Sequence, residues 1–440
     1  MQDYGNGPST GLDQTAAGKI VTGFTPEDLS VAEADRSVLR ALAERVARIA
    51  DGPRMTEVRE LWRKLNGLQR TRPVVFCDPE NGWNEIITET QMQCQGKLAR
   101  RWEMDLRKEI FWAEEMRDDK PVEPYLEVPY TVAPDDWGVE AVYHQTDRLG
   151  SYVWESPIKD YDTDLPKLHS PQPKIDWETT NGCLQIAKDL FDGILTVRLK
   201  GTWWWSLGLT WTAVTLRGLK TMLYDFVDCP DGLKQLLSII SRGQMDRLDY
   251  LEEHNLLSLN NDGTYVGSGG YGFTDELPQP DFDGRVRCVD MWGFTESQET
   301  VNVSPRMYAE FIFPYEKPIM DRFGLTCYGC CEPINPRWDV VKHHHNLRRV
   351  SCSPWIDVQK MAEYLEDKYI FSMKPNPAAL AKPEIDEASI RRELREAFQL
   401  TKDCIVEVLM KDNHTIGNNP QNVIRWCRIV QEEAAACDGA

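Results

Sequence analysis

The sequence predicts an α/β protein built on a (β/α)8 barrel, and three features of the chain indicate it. From about residue 256 onward, apolar strand-like runs alternate regularly with helical segments, which demands parallel strands joined by right-handed crossovers. Polar residues follow each late strand, at the end where a barrel keeps its chemistry. No Gly-rich phosphate turn follows an early strand, which disfavours the alternative of a doubly wound open sheet.

The chain begins with a predicted N-terminal extension, residues 1–54. Residues 1–25 are rich in Gly, Thr and Gln and are expected to be loosely ordered, whereas 29–50 has apolar residues at helical spacing. The barrel is expected over 55–440, with a long middle insertion at about 134–180. That insertion is rich in Asp, Pro, Trp and Tyr and shows little periodicity, which is typical of a functional loop or lid.

Within the barrel region, apolar runs of strand length bounded by turn-forming residues alternate with amphipathic segments. Nine runs are strand candidates, one more than the barrel needs: 72–76, 125–130, 194–201, 256–263, 285–293, 324–330, 347–354, 369–377 and 404–412. Helices are predicted at 55–68, 98–117, 216–255, 304–320, 333–345, 357–367, 386–402 and 420–436.

Composition and charge exclude two classes of partner. The chain has 440 residues, with 50 Lys and Arg against 70 Asp and Glu, a formal net charge of −20. So acidic a chain argues against nucleic-acid binding, which needs clustered cations, and no apolar run approaches the ~20 residues of a membrane-spanning helix. The 12 Cys are not spaced as a disulfide framework, and the N-terminus lacks the blocks of a signal peptide. We therefore expect a reducing, cytoplasmic location.

The strongest chemical signal is the segment 325–333, "LTCYGCCEP", which places Cys327, Cys330, Cys331 and Glu332 at one predicted strand end. Thiolates are good ligands for Zn²⁺ because they are soft and anionic. No second pair of ligands at close spacing completes a structural zinc site, so the cluster predicts an open site with a further ligand from another strand. His414, after the last strand, is the best candidate. The alternative is that the cysteines are inert and His414 caps a helix.

Polar and aromatic residues at other strand ends are further candidates. Turn chemistry is the alternative explanation for them, because Asp, Asn and Gly are the usual turn formers. The predicted catalytic residues are Asp78, Asp262 and Glu296, and the predicted substrate- or cofactor-binding residues are Asn261, Tyr265, Trp292, Gln298 and Tyr328.

The order of features over roughly residues 55–435 resembles the uroporphyrinogen decarboxylase superfamily. The most specific part is a helix of the form SP-x-x-(F/Y)-x-x-F-x-x-P-Y, here Ser304, Pro305, Tyr308, Phe311, Pro314 and Tyr315. The decarboxylase itself carries R-x-A-G-R after its first strand, and this chain has the acidic segment "RPVVFCDPENGW" there. An acidic turn would repel a polycarboxylate porphyrinogen, so the chain looks more like the corrinoid-linked methyltransferases of that superfamily.

The methylcobamide:thiol methyltransferases carry H-x-C-G after a late strand and a third zinc ligand, a Cys, after the last strand. In the matching turn here, Tyr328 replaces the His and Cys330 matches the Cys. The position after the last strand falls at Asp412 to His414. The resemblance therefore implies a zinc site of Cys330 with Cys327 or Cys331, plus His414.

These observations predict a zinc-dependent methyltransferase that moves a methyl group between a small methylated substrate or thiol and cobalamin. The corrinoid would be free or carried by a partner protein, and the interpretation allows a homodimer. Two alternatives stay open. One is a cofactor-independent decarboxylase or lyase that uses Asp78 or Asp262, and the other is a catalytically silent binding barrel.

Overall fold

The computed structural model describes residues 24–25, 28–145 and 152–438. Apart from residues 24 and 25, the segment predicted to be loosely ordered lies outside this part of the chain. The described strands are β1 Val74–Cys77, β2 Tyr125–Pro129, β3 Val142–Gln145, β4 Tyr152–Glu155, β5 Thr196–Lys200, β6 Trp292–Thr295, β7 Leu325–Tyr328, β8 Leu347–Cys352, β9 Ile370–Met373 and β10 Ile405–Met410.

The described helices flank these strands. They are α1 Glu33–Ala50, α2 Pro53–Asn66, α3 Trp83–Ile86, α4 Lys97–Phe111, α5 Tyr161–Asp164, α6 Trp177–Phe191, α7 Thr210–Arg217, α8 Leu219–Asp228, α9 Pro230–Glu253, α10 Pro305–Phe311, α11 Phe313–Met320, α12 Trp338–Val341, α13 Val358–Leu365, α14 Glu387–Leu400 and α15 Pro420–Asp438. Short turns are π-helical at Trp112–Met116 and 3-10 at Glu80–Gly82, Glu89–Gln91, Leu165–Lys167, Cys288–Asp290, Gln298–Thr300, Asn335–Arg337 and Pro377–Ala379. None of the helices in the described ranges combines the length and apolarity that a membrane crossing requires.

Eight of the strands lie in two parallel sheets. A six-stranded sheet has the order β1-β10-β9-β8-β7-β6, every neighbouring pair is parallel, and β2 pairs in parallel with β5. The predicted α/β class and the parallel pairing are therefore confirmed. No ladder in the described ranges joins β1 to β2 or β5 to β6, so a continuous barrel sheet is not shown.

Residues outside the two sheets hydrogen-bond to the backbone of β1 and β6, the strands beside these gaps. Beside β1, the Asp119 N–H donates to Val75 O at 2.8 Å, and the Asp119 carboxylate accepts from the Val75 N–H at 2.8 Å. Beside β6, the Asn260 side chain donates to Trp292 O at 3.0 Å and accepts from the Trp292 N–H at 2.9 Å. The Asp119 carboxylate and the Asn260 amide thus form hydrogen bonds that a neighbouring strand would otherwise provide to Val75 and Trp292.

The N-terminal helix packs on the rest of the fold. Apolar residues of α1 recur at helical spacing (Leu39, Ala43, Val46 and Ala50), and all of them are buried. This face packs against α4 and also contacts α6. The predicted helix of this region is therefore present, beginning at Glu33.

Several predicted elements are wrong in position or type. The run 256–263 is not a strand, because its polar side chains hydrogen-bond to backbone groups of neighbouring segments. Without it, eight of the nine strand candidates remain. The candidate 285–293 begins as a 3-10 turn closed by Arg287 and Asp290, and its strand starts at Trp292. The insertion 134–180 was expected to lack regular structure, but it contains the antiparallel hairpin β3–β4, helix α5 and the start of α6. The predicted helix 304–320 is divided at Ile312 into α10 and α11.

Candidate functional site

Lys411, directly after β10, forms the centre of a polar cluster at the carboxyl-terminal edge of the six-stranded sheet. Its Nζ lies 3.3 Å from Ser268 Oγ, 3.3 Å from Asp412 Oδ1 and 4.0 Å from Cys330 Sγ, although the side chain is only 7% exposed. Burial opposes the charge, but the surrounding groups, first Cys330 and then Tyr265 and Asp412, raise the pKa of Lys411 well above its usual value. The group is therefore a fixed cation.

The contact between Lys411 and Cys330 also reports on the shape of the sheet. β7 and β10 are three strand spacings apart, which is about 14 Å in a flat sheet. Because side chains on one face of a flat sheet project side by side, a 4.0 Å contact between Nζ and Sγ requires the sheet to curl strongly. Strand ends that are distant in the strand order therefore face a common space.

Cys330 and Cys331 form a pair of adjacent thiols in the turn after β7. Their sulfur atoms are 3.6 Å apart, with Cys330 buried and Cys331 exposed. The hydrogen bond between the thiols lowers the pKa of Cys331, and together with burial it raises the pKa of Cys330. The pair therefore favours one thiolate, on the exposed sulfur and near the Lys411 cation.

Glu332 fixes the conformation of this turn. One carboxylate oxygen accepts from the Cys330 N–H at 2.9 Å, and the other accepts from the Ser297 N–H at 2.9 Å. Gly329, at φ +93°, supplies the left-handed backbone that the turn needs. Both oxygens of Glu332 are thus bound to backbone groups of two adjacent strand ends.

Two carboxyl groups follow β1 beside this cluster. Asp78 is buried, and its carboxylate accepts from the Glu80 N–H at 3.0 Å. Burial raises the pKa of Asp78, and burial together with the Asp78 charge raises the pKa of Glu80 to about 7. A carboxyl group with a pKa near neutrality can both donate and accept a proton at physiological pH.

Glu296, after β6, is a third buried carboxyl group. Its oxygens accept from Ser206 Oγ at 3.1 Å and from the Gln298 N–H at 3.1 Å. Burial, followed by the charges of Glu299 and Glu332, raises its pKa well above the usual value. Burial and the neighbouring carboxyl groups therefore favour the protonated form of Glu296.

A glycine-rich hairpin, residues 264–272, covers the curled face of the sheet. Its backbone hydrogen bonds join Val266 N–H to Gly270 O and Gly272 N–H to Thr264 O. Gly267 and Gly270 have φ +69° and +94°, and a Cβ on Gly270 would lie 2.7 Å from the guanidinium carbon of Arg349. Only glycine allows this approach, which brings Ser268 to Lys411 and Tyr265 beside it.

The structure brings some of the predicted site residues together. Asp78, Tyr265, Glu296, Cys330 and Cys331 interact electrostatically within one cluster around Lys411. Residues that the sequence interpretation missed complete it: Glu80, Ser268, Lys411 and Asp412.

Other predicted residues lie elsewhere. Asp262 is held by Arg198 at 2.7 Å, and although burial opposes it, the charges of Lys200 and Arg198 lower its pKa. Asn261 donates to Leu277 O at 2.6 Å. Gln298 is half-buried next to Glu296. The Trp292 indole donates to Gly272 O at 2.9 Å. Tyr328 stacks on His344 on the helix side of β7.

The predicted zinc ligands do not converge as one set. Cys327 Sγ is 3.7 Å from an Arg349 nitrogen, Glu332 is used by backbone N–H groups, and His414 is exposed, with no hydrogen bond or ion pair to the thiols in the described ranges. Across the described residues, no three His, Cys, Asp or Glu side chains are grouped to hold a metal ion. The pair Cys330 and Cys331 does fit one edge of a tetrahedral Zn²⁺ site, because two sulfurs at about 2.3 Å from zinc lie about 3.8 Å apart.

These features define an α/β protein with a thiol, lysine and carboxyl cluster at the carboxyl ends of parallel strands. No protein-family model matches the chain, and no curated protein matches it. Among solved structures, the chain is similar to a methyltransferase from Methanosarcina mazei, with 11% sequence identity and a TM-score of 0.48. That match covers 86% of this chain and 98% of the other.

Proposed function

We propose that the protein is a methyltransferase that carries out its chemistry at the Cys330–Cys331 thiol pair. The observation that carries the proposal is the 3.6 Å separation of the two sulfurs next to the buried Lys411 cation. The thiolate is the nucleophilic and metal-binding form of cysteine, and a neighbouring cation favours it. The motif resemblance to corrinoid-linked methyltransferases, which matches Cys330 to a metal ligand, supports the same conclusion.

The proposal includes a (β/α)8 barrel as the scaffold. The six-stranded sheet keeps the chain order from β6 to β10 and then β1, as a barrel would, and the parallel pair β2–β5 would complete the eight strands. The contact of Lys411 with Cys330 supports a closed, curled arrangement. The cluster then occupies the end of the barrel where catalytic residues are found.

Zinc remains part of the proposal, with a smaller ligand set than the sequence suggested. Cys330 and Cys331 would hold the ion, and zinc would supply positive charge that keeps sulfur as thiolate or polarises a substrate oxygen or nitrogen. Lys411 favours the thiolate form with or without metal. Asp78 and Glu80 would exchange a proton with the substrate, because burial raises the pKa of both groups and the pKa of Glu80 is about 7.

The corrinoid rests on the family resemblance, and no described residue is assigned to it. It would be free or carried by a partner protein, with a small methylated substrate or thiol as the other reactant. All 12 cysteines are free, which supports the proposed cytoplasmic location.

The test is an anaerobic assay with methylcobalamin and a panel of thiols, followed by the change in visible absorbance on loss of the methyl group. Zinc content is measured in parallel after reconstitution. We expect Cys331→Ser and Cys330→Ser to lose at least about a hundredfold in rate, because a hydroxyl is a poor nucleophile and soft-metal ligand. Cys437→Ser, at an exposed cysteine in α15, is the matched control. Full activity in Cys331→Ser would exclude the thiol-pair mechanism.

The raised pKa values of Asp78 and Glu80 beside Lys411 favour one second candidate, a cofactor-independent decarboxylase or lyase. Lys411 would hold a substrate carboxylate, and Glu80 would protonate the carbanion that remains after loss of CO₂. CO₂ release without corrinoid, abolished by Glu80→Gln and retained by Cys331→Ser, would favour this reaction over methyl transfer.

A further inference from the structure

Cys331 combines exposure to solvent with a second thiol within reach. All 12 cysteines lie in the described part of the chain, and Cys331 and Cys437 are the exposed ones. The Sγ of Cys437 lies 3.3 Å from Glu433 O, and no hydrogen bond in the described ranges joins it to another thiol. The Sγ of Cys331 lies 3.6 Å from the buried Cys330 Sγ. A reagent in solution therefore reaches two sulfurs, and one of them has a partner.

The turn after β7 holds this partner in place. The Cys330 N–H donates to Glu332 at 2.9 Å, and the Cys330 carbonyl oxygen accepts from Ser351 Oγ at 3.2 Å. A disulfide bond needs its sulfurs about 2.0 Å apart, so the two sulfurs would have to approach by about 1.6 Å. Because the backbone on both sides of Cys330 is fixed, Cys330 is positioned to react with whatever is attached to Cys331.

A bond between these two sulfurs would be easily reversed. The Cα atoms of adjacent residues are about 3.8 Å apart, whereas most disulfides join Cα atoms about 4.4–6.8 Å apart. The ring closed by Cys330 and Cys331 is therefore strained. Strained and exposed disulfides are reduced more readily than structural ones, which is typical of regulatory bonds.

We propose that Cys331 is a site of thiol–disulfide exchange, and that Cys330 and Cys331 form a reversible disulfide bond when the protein meets a small disulfide. The inference concerns the regulation of the proposed function and rests on it in one respect. Because the proposed methyl transfer uses both thiols, the bond would turn it off. Formation of the bond does not itself depend on methyl transfer.

The exchange proceeds in two steps with a small disulfide as the oxidant. The Cys331 thiolate attacks one sulfur of the small disulfide, which forms a mixed disulfide on Cys331 and releases one thiolate. The Cys330 sulfur then attacks Cys331 Sγ and releases the second thiolate. Each departing thiolate takes up one proton, equal in number to the protons that the two cysteines lose, and two electrons pass from the cysteines to the small disulfide. The Lys411 ammonium group, 4.0 Å from Cys330 Sγ, stabilises the negative charge on the attacking sulfur.

The test is mass spectrometry of the reduced full-length protein after exposure to the neutral disulfide of 2-mercaptoethanol. The reaction is stopped with acid, and the remaining thiols are labelled with N-ethylmaleimide in denaturant. Cleavage after Arg322 and Arg337 yields one peptide that contains the thiol pair and the buried Cys327. The label on Cys327 shows that alkylation was complete, and Cys437 is the matched exposed thiol without a partner.

We expect Cys437 to keep one mercaptoethanol group, and Cys330 and Cys331 to carry neither adduct nor label and to lose two hydrogens. Dithiothreitol should restore two thiols that can be labelled. In Cys330→Ser the mercaptoethanol group should stay on Cys331. In Cys331→Ser, Cys330 should react at least about tenfold more slowly than Cys437, because it is buried.

A mercaptoethanol group that persists on Cys331 of the wild type, or an unmodified pair after Cys437 has reacted, would overturn the proposal. The readout is separate from turnover. A protein that forms the bond but takes no methyl group from methylcobalamin in its reduced state would refute the proposed function and support this inference.

Discussion

Replacing Asn260 with Leu tests whether side-chain hydrogen bonds hold the backbone of β6 at Trp292. The Asn260 side chain donates to Trp292 O at 3.0 Å and accepts from the Trp292 N–H at 2.9 Å, and Trp292 is buried. Leucine has a similar size but removes both bonds. A buried backbone group left without its partner costs about 1–3 kcal/mol, so the loss of two should cost about 2–6 kcal/mol.

Hydrogen exchange followed by mass spectrometry measures this effect locally. Since about 1.4 kcal/mol corresponds to a tenfold change in an equilibrium constant, exchange of the Trp292 amide should become at least about thirtyfold faster. Thermal unfolding should begin at a lower temperature. Asn302→Leu, at an exposed position before α10, is the matched control and should change neither measurement. Unchanged protection of the Trp292 amide in Asn260→Leu would refute the role given to this side chain.

Three further predictions concern the cluster, a buried carboxylate of α4 and the packing of α9. Lys411→Met should raise the pKa of the Cys331 thiol and slow its alkylation by iodoacetamide at neutral pH, and Lys411→Arg should slow the alkylation less. Equal alkylation rates in Lys411→Met and the wild type would contradict the electrostatic argument. Burial raises the pKa of Glu103, but hydrogen bonds from backbone N–H groups and an arginine lower it by more, so the net pKa is lowered. The ionised carboxylate therefore stabilises the fold fully above its unfolded pKa of about 4.3, and this stabilisation is lost as pH falls below that value. Glu103→Gln should therefore unfold more easily at pH 7 by about 1–3 kcal/mol and lose part of the acid dependence of melting; parallel melting curves from pH 7 to 2 would disprove this. A Cβ on Gly232 would lie 2.8 Å from two ring atoms of Tyr161. Gly232→Ala should therefore destabilise the protein by about 1–3 kcal/mol despite the better helix propensity of alanine. The double variant with Tyr161→Leu should recover stability in thermal unfolding.

The late strands could be predicted because each is a short apolar run between polar turns. The run 324–330 became β7, and 404–412 became β10, with small changes at the ends. The run 256–263 looked equally apolar, but Ser258 and Asn260 bond neighbouring backbone with their side chains, which no local pattern reveals. Similarly, the insertion has few periodic residues because its hairpin is only four residues on each strand.

The thiol cluster could be predicted in part for a similar reason. Cys330 and Cys331 are adjacent in the chain and their sulfurs stay adjacent in space, so the spacing of the cysteines predicts this pair. The sequence motif does not include Lys411, because this lysine is 81 positions from Cys330 in the chain and meets it only in the folded protein. The position after the last strand predicts His414 as a ligand, whereas the structure leaves this residue exposed.

The sequence by itself determined the α/β class, the parallel order of the late strands and the presence of paired thiols at a strand end. Each of these depends on residues close together in the chain. Tertiary structure alone decided that Lys411 meets Cys330, that Tyr328 turns toward the helices, and that a glycine hairpin covers the curled face. The physical reason is that contacts between strands depend on register, side-chain direction and sheet curvature, and these are set by packing over the whole sheet rather than by any local pattern.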